Sequence, residues 1–247
     1  MNKRFQNETV IITGASGGIG LATAKKFAEE GANIVLADIN LEGLHNAAAT
    51  LQLSDPDTLL LAQCDVSNES EVEETVNTAI KKFGRLDIVV NNAGLMIFKK
   101  LEEQTGEDWT KVLSVDLMGA FFFTKQAFLQ MKSGGAIVNI SSIHAVETTP
   151  MVACYAAAKA ALLSLTRSAS MEGKAKGIRV NALLPGAIDT PMLWNNPNVK
   201  AHIEKIDIDS VGKPVDIADA IAYLASDEAA FVQGAALRVD GGRLARL

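Results

Sequence analysis

The chain has 247 residues, 48% of them hydrophobic, enough for one large α/β domain to bury its core without disulfide or metal staples. Its formal charge of -6, with Lys and Arg nowhere clustered, excludes nucleic acid as the expected partner, because neutralising phosphates needs concentrated cations. Cys64 and Cys154 both sit in apolar stretches, which points to a reducing compartment, the cytoplasm, rather than a disulfide framework.

Met1 to Glu8 is polar, and the apolar run from Val10 stops at Thr13 and a glycine cluster, so the N-terminus predicts neither a signal peptide nor a membrane span. From there short β-branched runs alternate with longer segments of helical period. The runs are Thr9 to Thr13, Asn33 to Ala37, Thr58 to Cys64, Leu86 to Asn91, Ala136 to Ser141, Ile178 to Leu183 and Ala235 to Val239. They are apolar throughout, as strands covered by helices on both faces should be. The expectation is one α/β domain over 1–247, a doubly wound sheet of seven parallel strands flanked by helices. Ser67 and Ser70 precede an amphipathic stretch that ends at Phe83 before Gly84, and Gly31 closes the first helix. The least regular stretch, Pro185 to Val211, contains Pro191, Pro197 and the adjacent Asn195 and Asn196. It is a candidate lid, since loops at the C-terminal edge of such a sheet hold the ligand.

The first strand runs into Thr13-Gly14-Ala15-Ser16-Gly17-Gly18-Ile19-Gly20, and a helix follows. Glycines here let the backbone turn sharply and approach a pyrophosphate, while the open N–H groups of the helix start supply donors and a favourable dipole. Strand, glycine turn and helix in this order predict dinucleotide binding by Gly14, Ser16, Gly17, Gly18, Ile19 and Gly20. Asp38 ends the second strand, where a carboxylate accepts hydrogen bonds from the adenosine ribose hydroxyls and repels a 2'-phosphate. Ala15, Ser16, Ile39 and Asn40 offer no compensating cation, so NAD(H) is the expected cofactor.

Tyr155-Ala156-Ala157-Ala158-Lys159 sets a phenol and an ammonium four residues apart on one helix face. A nearby ammonium favours the phenolate, so Tyr155 can take the proton of an alcohol as hydride leaves carbon. Ser142 follows the strand that precedes this helix, in a position either to orient the substrate oxygen or to cap a turn.

The spacing T-G-x-x-x-G-x-G and the Tyr-x-x-x-Lys pair resemble the classical short-chain dehydrogenase/reductase (SDR) family, and the resemblance covers nearly the whole chain. It implies a Rossmann-type fold, an oxidoreductase acting on CH–OH groups, and Ser142 rather than Ser141 as the partner of Tyr155. It further implies an adenine contact at Asp65-Val66, and a sheet-stabilising, cofactor-lining segment at Asn91-Asn92-Ala93-Gly94. Pro185-Gly186-Ala187-Ile188-Asp189-Thr190-Pro191-Met192 resembles the segment that holds the nicotinamide carboxamide, through the Ile188 backbone and Thr190. Gly234 and Val239-Asp240-Gly241-Gly242 resemble the last strand and its exit.

One position departs from the family. Val115-Asp116-Leu117-Met118-Gly119 carries aspartate where the family has an asparagine, which bends its helix so that a main-chain carbonyl holds a water for proton relay. The carbonyl does not depend on the side chain; the bend is what the aspartate puts in question. A buried aspartate needs a partner or a proton. Lys159 is the expected partner, and Asp116 is therefore an expected member of the catalytic group.

Ile143, His144, Val146, Glu147 and Met151 are expected along the substrate wall, with Met192, Leu193 and Trp194 in the lid as a cover that excludes water. His144 and Glu147 suit a sugar, polyol or cyclic alcohol; the lid suits a bulky ketone. The expected activity is interconversion of such a secondary alcohol and its ketone with NAD(H). The alternatives are 3-oxoacyl-(acyl-carrier-protein) reduction, which Asp38 and the acidic balance oppose, and non-catalytic NAD(H) sensing, which the intact Ser142, Tyr155 and Lys159 oppose. His45, His144 and His202 are too far apart in sequence to predict a metal site. Apolar helix faces over Leu117 to Phe128 and Ala156 to Leu165 predict a homotetramer, as in similar family members.

Overall fold

The structure is a computed structural model that describes residues 3–53, 55–132, 134–201 and 206–245. Strands β1 (Thr9–Thr13), β2 (Asn33–Asp38), β3 (Leu59–Gln63), β4 (Ile88–Asn91), β5 (Gly135–Ile140), β6 (Ile178–Pro185) and β7 (Ala236–Val239) form one sheet in the order β3-β2-β1-β4-β5-β6-β7. Every pairing is parallel. All seven expected runs are strands, with ends displaced by a residue or two. Thr58, expected in the third strand, instead closes a single turn, Pro56–Thr58, because the Asp55 carboxylate accepts from the Asp57 amide at 2.9 Å and starts that turn. β1 and β4 are buried along their whole length, whereas the edge strands β3 and β7 are only partly covered.

The helices are α1 (Gly18–Glu29), α2 (Leu41–Ala49), α3 (Glu69–Phe83), α4 (Gly106–Leu113), α5 (Gly119–Gln130), α6 (Ala153–Gly173), α7 (Pro191–Trp194), α8 (Pro197–Lys200) and α9 (Pro214–Ala225). α1, α2 and α9 pack on one face of the sheet through residues such as Phe27, Leu44 and Ile221. α3, α5 and α6 pack on the other through Val72, Val76, Phe123 and Ala169. Each fully buried large side chain among them contributes about 1.5–3 kcal/mol of hydrophobic stabilisation. The start of α3 differs from the expectation: Asn68, not a serine, is its cap, accepting from the Ser70 amide at 3.1 Å. Gly84 ends it in the left-handed conformation, φ 76°.

α4 runs into α5 through a π turn, Ser114–Met118. The continuous helical span Gly106–Gln130 is long and apolar enough, by length and composition, to cross a membrane. Here Val112, Phe123 and Ala127 are fully buried against the rest of the fold.

From β1 the chain builds outward to β2 and β3, then returns to lay β4 on the other side of β1. At such a reversal the loops leave in opposite directions and a crevice opens beyond the strand C-termini.

Candidate active site

The glycine turn occupies that crevice. Three of its glycines are required: Gly14 and Gly18 have positive φ, 64° and 51°, and a Cβ on Gly20 would stand 2.3 Å from the Gly14 carbonyl oxygen, a contact no side chain can make. The turn is braced from β4. Thr13 Oγ1 accepts from the Asn92 and Ala93 amides, both at 2.9 Å, and Asn92 Nδ2 donates to the Thr13 carbonyl at 2.9 Å. α1 begins after Gly17 with no side-chain cap, so its first amides remain directed at the crevice. At the end of β2, Asp38 Oδ2 accepts from the Ser16 amide at 3.1 Å and Oδ1 from the Asn40 amide at 2.9 Å, which aims the carboxylate into the same space. Asn40, not Asp38, caps α2.

A cleft of about 400 Å³ runs from this turn to the exits of β5 and β6. It is lined by Gly14, Ser16, Gly17, Gly18, Ile19, Asp38, Asn92, Ala93 and Gly94, then by Ser142, His144, Tyr155, Lys159, Pro185, Gly186, Ile188, Thr190 and Met192. Asp65 and Val66 line an adjoining hollow of about 460 Å³ that shares Gly14, Asp38, Ala93 and Gly94 with it. An uncapped helix start, a turn that only glycine can make and a carboxylate at the far end fit the diphosphate and ribose of a nicotinamide dinucleotide.

Tyr155 and Lys159 project from the first turns of α6, both buried, at 6% and 3% exposure. Lys159 Nζ donates to the Ile140 carbonyl at 3.0 Å and stands 5.5 Å from the Tyr155 ring centre. It also stands 3.2 Å from Asp116 Oδ2, an ion pair without a well-directed hydrogen bond. Asp116 sits on the π turn, 1% exposed, with Oδ1 accepting from the Leu95 amide at 2.9 Å. Gly94 leaves room for the pair, since a Cβ there would lie 2.9 Å from Asp116 Oδ2.

These contacts set the charges. Burial works against the Lys159 ammonium, but Asp116 and Tyr155 more than offset it and hold its pKa above the ordinary value. Burial raises the Asp116 carboxyl, with Lys159 and the Leu95 amide pulling the other way. For Tyr155 the expectation of a lowered phenol is only half met. Lys159 and a hydrogen bond from Ser142 lower its pKa, but burial and the Asp116 charge outweigh them and keep it above that of an ordinary phenol.

The comparisons with known proteins agree with this arrangement. A family profile described as enoyl-(acyl carrier protein) reductase matches residues 14–243. A 3-oxoacyl-[acyl-carrier-protein] reductase of Thermotoga maritima is 35% identical over 97% of this chain and 98% of its own. A cis-4-hydroxycyclohexanecarboxylate dehydrogenase of Sinomonas cyclohexanicum is 40% identical over 98% of both chains. The crystal structure of levodione reductase superposes with a TM-score of 0.92 at 36% identity, over 99% of this chain and 100% of the other. The chain belongs to the short-chain dehydrogenase/reductase family. SDR enzymes are oxidoreductases that act on CH–OH groups with nicotinamide cofactors.

For an SDR protein, aspartate at 116 is the unusual feature, and the bend it put in question is present: the π turn spans that residue. Ser142 takes the capping role and also lines the cleft: its hydroxyl accepts from the His144 amide at 3.1 Å and caps the turn Ile143–Ala145. Ser141 instead donates to the Lys159 carbonyl at 2.9 Å.

Four expected wall residues do not line the cleft: Val146, which is 66% exposed, Met151, whose carbonyl accepts from the Lys99 amide at 3.0 Å, Glu147 and Trp194. Glu147 is exposed on the loop beyond Ala145, and Trp194 points out of α7, its Nε1 donating to Asp189 Oδ1 at 2.7 Å. A one-turn helix cannot face residues 192 and 194 the same way, so Met192 and Leu193 line the cleft while Trp194 does not. The expected lid is partly regular, as α7 and α8, and is pinned by Asn198, whose Nδ2 donates to the Pro150 carbonyl at 2.8 Å. Its residues 202–205, His202 included, lie outside the described residues. Sequence reasoning missed Met96, Asn196 and Arg243 on the cleft wall. The apolar run Leu95-Met96-Ile97-Phe98 after the Asn-Asn-Ala-Gly segment was a usable signal for the first. Nothing local marks Arg243, which reaches the cleft only because the chain returns beside β6.

Proposed function

We propose that this SDR protein interconverts a secondary alcohol and its ketone with NAD(H), using Tyr155 as acid and base. The observation that carries this reading is the gathering of Ser142, Tyr155 and Lys159 on one wall of a cleft whose other end holds the Asp38 carboxylate. Ser142 holds the substrate oxygen against the phenol. Tyr155 removes the hydroxyl proton in oxidation and returns it in reduction, and Lys159 keeps a positive charge beside the phenolate as it forms. A bound nicotinamide cofactor accepts or supplies the hydride. Met192 and Leu193 cover the reacting atoms and exclude water.

Gly14, Gly18 and the start of α1 are proposed to take the diphosphate, Asp65 and Val66 the adenine, and Asn92 to Gly94 with Pro185, Gly186, Ile188 and Thr190 the nicotinamide half. Asp38 favours NAD(H), because its carboxylate would stand against a 2'-phosphate. The relative from Sinomonas cyclohexanicum acts on a cyclic alcohol, which supports a cyclic or polyol substrate here. We further propose that the single domain works in the cytoplasm, in keeping with two buried free thiols. Assembly as a homotetramer would cover Met118 of the π turn, Phe121 and Leu129 of α5 and Met171 of α6, all exposed on one chain.

A second reading, reduction of a 3-oxoacyl thioester on acyl carrier protein, is favoured by the Thermotoga maritima relative and opposed by Asp38 and the charge of -6. Absorbance of NADH and NADPH across a panel of secondary alcohols, ketones and acetoacetyl thioester tests both. Turnover of alcohols with NAD+ supports the first; thioester reduction with NADPH alone supports the second. Tight NADH binding without any turnover would replace both with a redox sensor.

A further inference from the structure

One wall of the cleft carries a buried charge pair whose balance is set by a single residue. Lys159 lines the cleft beside Tyr155, and Asp116 stands behind it, with the carboxylate Oδ2 3.2 Å from the ammonium Nζ. The two side chains are 4% and 0% exposed, so water does little to screen either charge. The carboxylate is fixed from two sides: Oδ1 accepts from the Leu95 amide at 2.9 Å, and the π turn Ser114–Met118 holds its backbone. Among the described residues the ammonium is the sole partner of Oδ2. The pair presses against Gly94, where a Cβ would lie 2.9 Å from Asp116 Oδ2 and 3.2 Å from Lys159 Nζ. Gly94 itself lines both the cleft and the adjoining hollow. One glycine backbone therefore separates the carboxylate from the space that fits the dinucleotide.

That placement bears on the one difference in charge between the two forms of the cofactor. An oxidised nicotinamide ring carries a positive charge and a reduced ring does not. A lone buried ammonium in the wall opposes the oxidised form. An ammonium paired with a carboxylate presents no net charge and opposes neither form. Asp116 is the one carboxylate paired with Lys159 among the described residues. The other ionisable groups on the cleft wall are Asp38, His144, Tyr155 and Arg243. Asp38 belongs to the adenosine end, His144 and Arg243 bear no negative charge, and burial keeps the Tyr155 phenol protonated above its ordinary range. The asparagine that the family carries at this position would leave the ammonium unopposed.

We propose that Asp116 determines the preference of the site for the oxidised over the reduced dinucleotide, by cancelling the Lys159 charge that would otherwise repel the oxidised ring. The inference rests on the nicotinamide-cofactor reading above. The test measures the Kd of NAD+ and of NADH by calorimetric titration of the full chain without substrate. It compares the wild type with Asp116→Asn, which keeps the volume and an oxygen for the Leu95 amide, and with Asp116→Asn/Lys159→Met, which removes both charges. In Asp116→Asn the ratio of the NAD+ Kd to the NADH Kd is expected to rise by about 3- to 15-fold, the effect of one unit charge acting through a polar interior. The rise falls on NAD+. In the double variant, again without net charge, the ratio returns to that of the wild type. Asp116→Ser, smaller and neutral, carries the same prediction if the amide disturbs folding, which a melting curve reads. An unchanged ratio in the single variant would overturn the inference. So would equal weakening of NAD+ and NADH, which makes Asp116 only a support for Lys159, or a double variant that keeps the ratio of the single one, which assigns the effect to packing. If the chain takes only the 2'-phosphorylated pair, the same ratio is read with NADP+ and NADPH. Failure of the wild type to bind any of the four would overturn the cofactor reading and this inference with it.

Discussion

Asp116 Oδ2 stands 3.2 Å from Lys159 Nζ in a pocket where both side chains are almost completely buried. The ammonium that should ease ionisation of Tyr155 is therefore shared with a carboxylate, and the phenol feels both. Replacing Asp116 by Asn removes the negative charge that raises the Tyr155 pKa and leaves Lys159 unopposed. Oxidation needs the phenolate, so its rate against pH should rise at lower pH in Asp116→Asn than in the wild type. A pH profile of kcat/KM with NAD+ reads this directly. Superimposable profiles would mean that Asp116 carries no charge beside Tyr155.

Tyr155→Phe removes the proton donor and acceptor while keeping the ring that packs near His144 and Val112. kcat should fall by roughly 10²- to 10⁴-fold, the usual worth of a positioned acid or base. NADH titration should give the wild-type Kd, which separates chemistry from binding.

Asp38→Asn tests cofactor choice. Loss of the charged acceptor should weaken NADH by about 10- to 100-fold and remove the repulsion against a 2'-phosphate. The ratio of NADH to NADPH affinity, measured by fluorescence titration, should fall accordingly. An unchanged ratio would take Asp38 out of the ribose site.

Asn198→Ala releases the lid from the Pro150 carbonyl. Losing that part-buried hydrogen bond should cost about 0.5–1.5 kcal/mol, at roughly 2–4 °C in Tm for each kcal/mol in a chain of this size. Limited proteolysis should then cut first within residues 185–211, and KM should rise more than kcat falls.

Burial pushes the Cys64 thiol up to about 11. Thiolate is scarce at pH 8, so Cys64 should react slowly with a disulfide reagent in the native protein and at the ordinary rate in denaturant, which a colorimetric thiol assay can follow.

Much of the fold was legible because its signals are local. Runs such as Val10 to Ile12 and Ile88 to Val90 are apolar on both faces, and only strands sandwiched between helices need that. The glycine turn, Asp38 and the Tyr155–Lys159 spacing were legible for the same reason, since each places its chemistry within one element or one turn. Contacts between distant segments were not. That Trp194 turns outward depends on the one-turn length of α7. That Asn198 ties the lid to Pro150, and that Arg243 comes to line the cleft, depends on how the exits of β5, β6 and β7 crowd one another. Sequence alone raised the question of Asp116 and named its partner, but only packing could supply the answer. Three segments, from β4, the π turn and α6, close around that carboxylate, and their joint exclusion of water decides how strongly its charge acts on Lys159 and Tyr155.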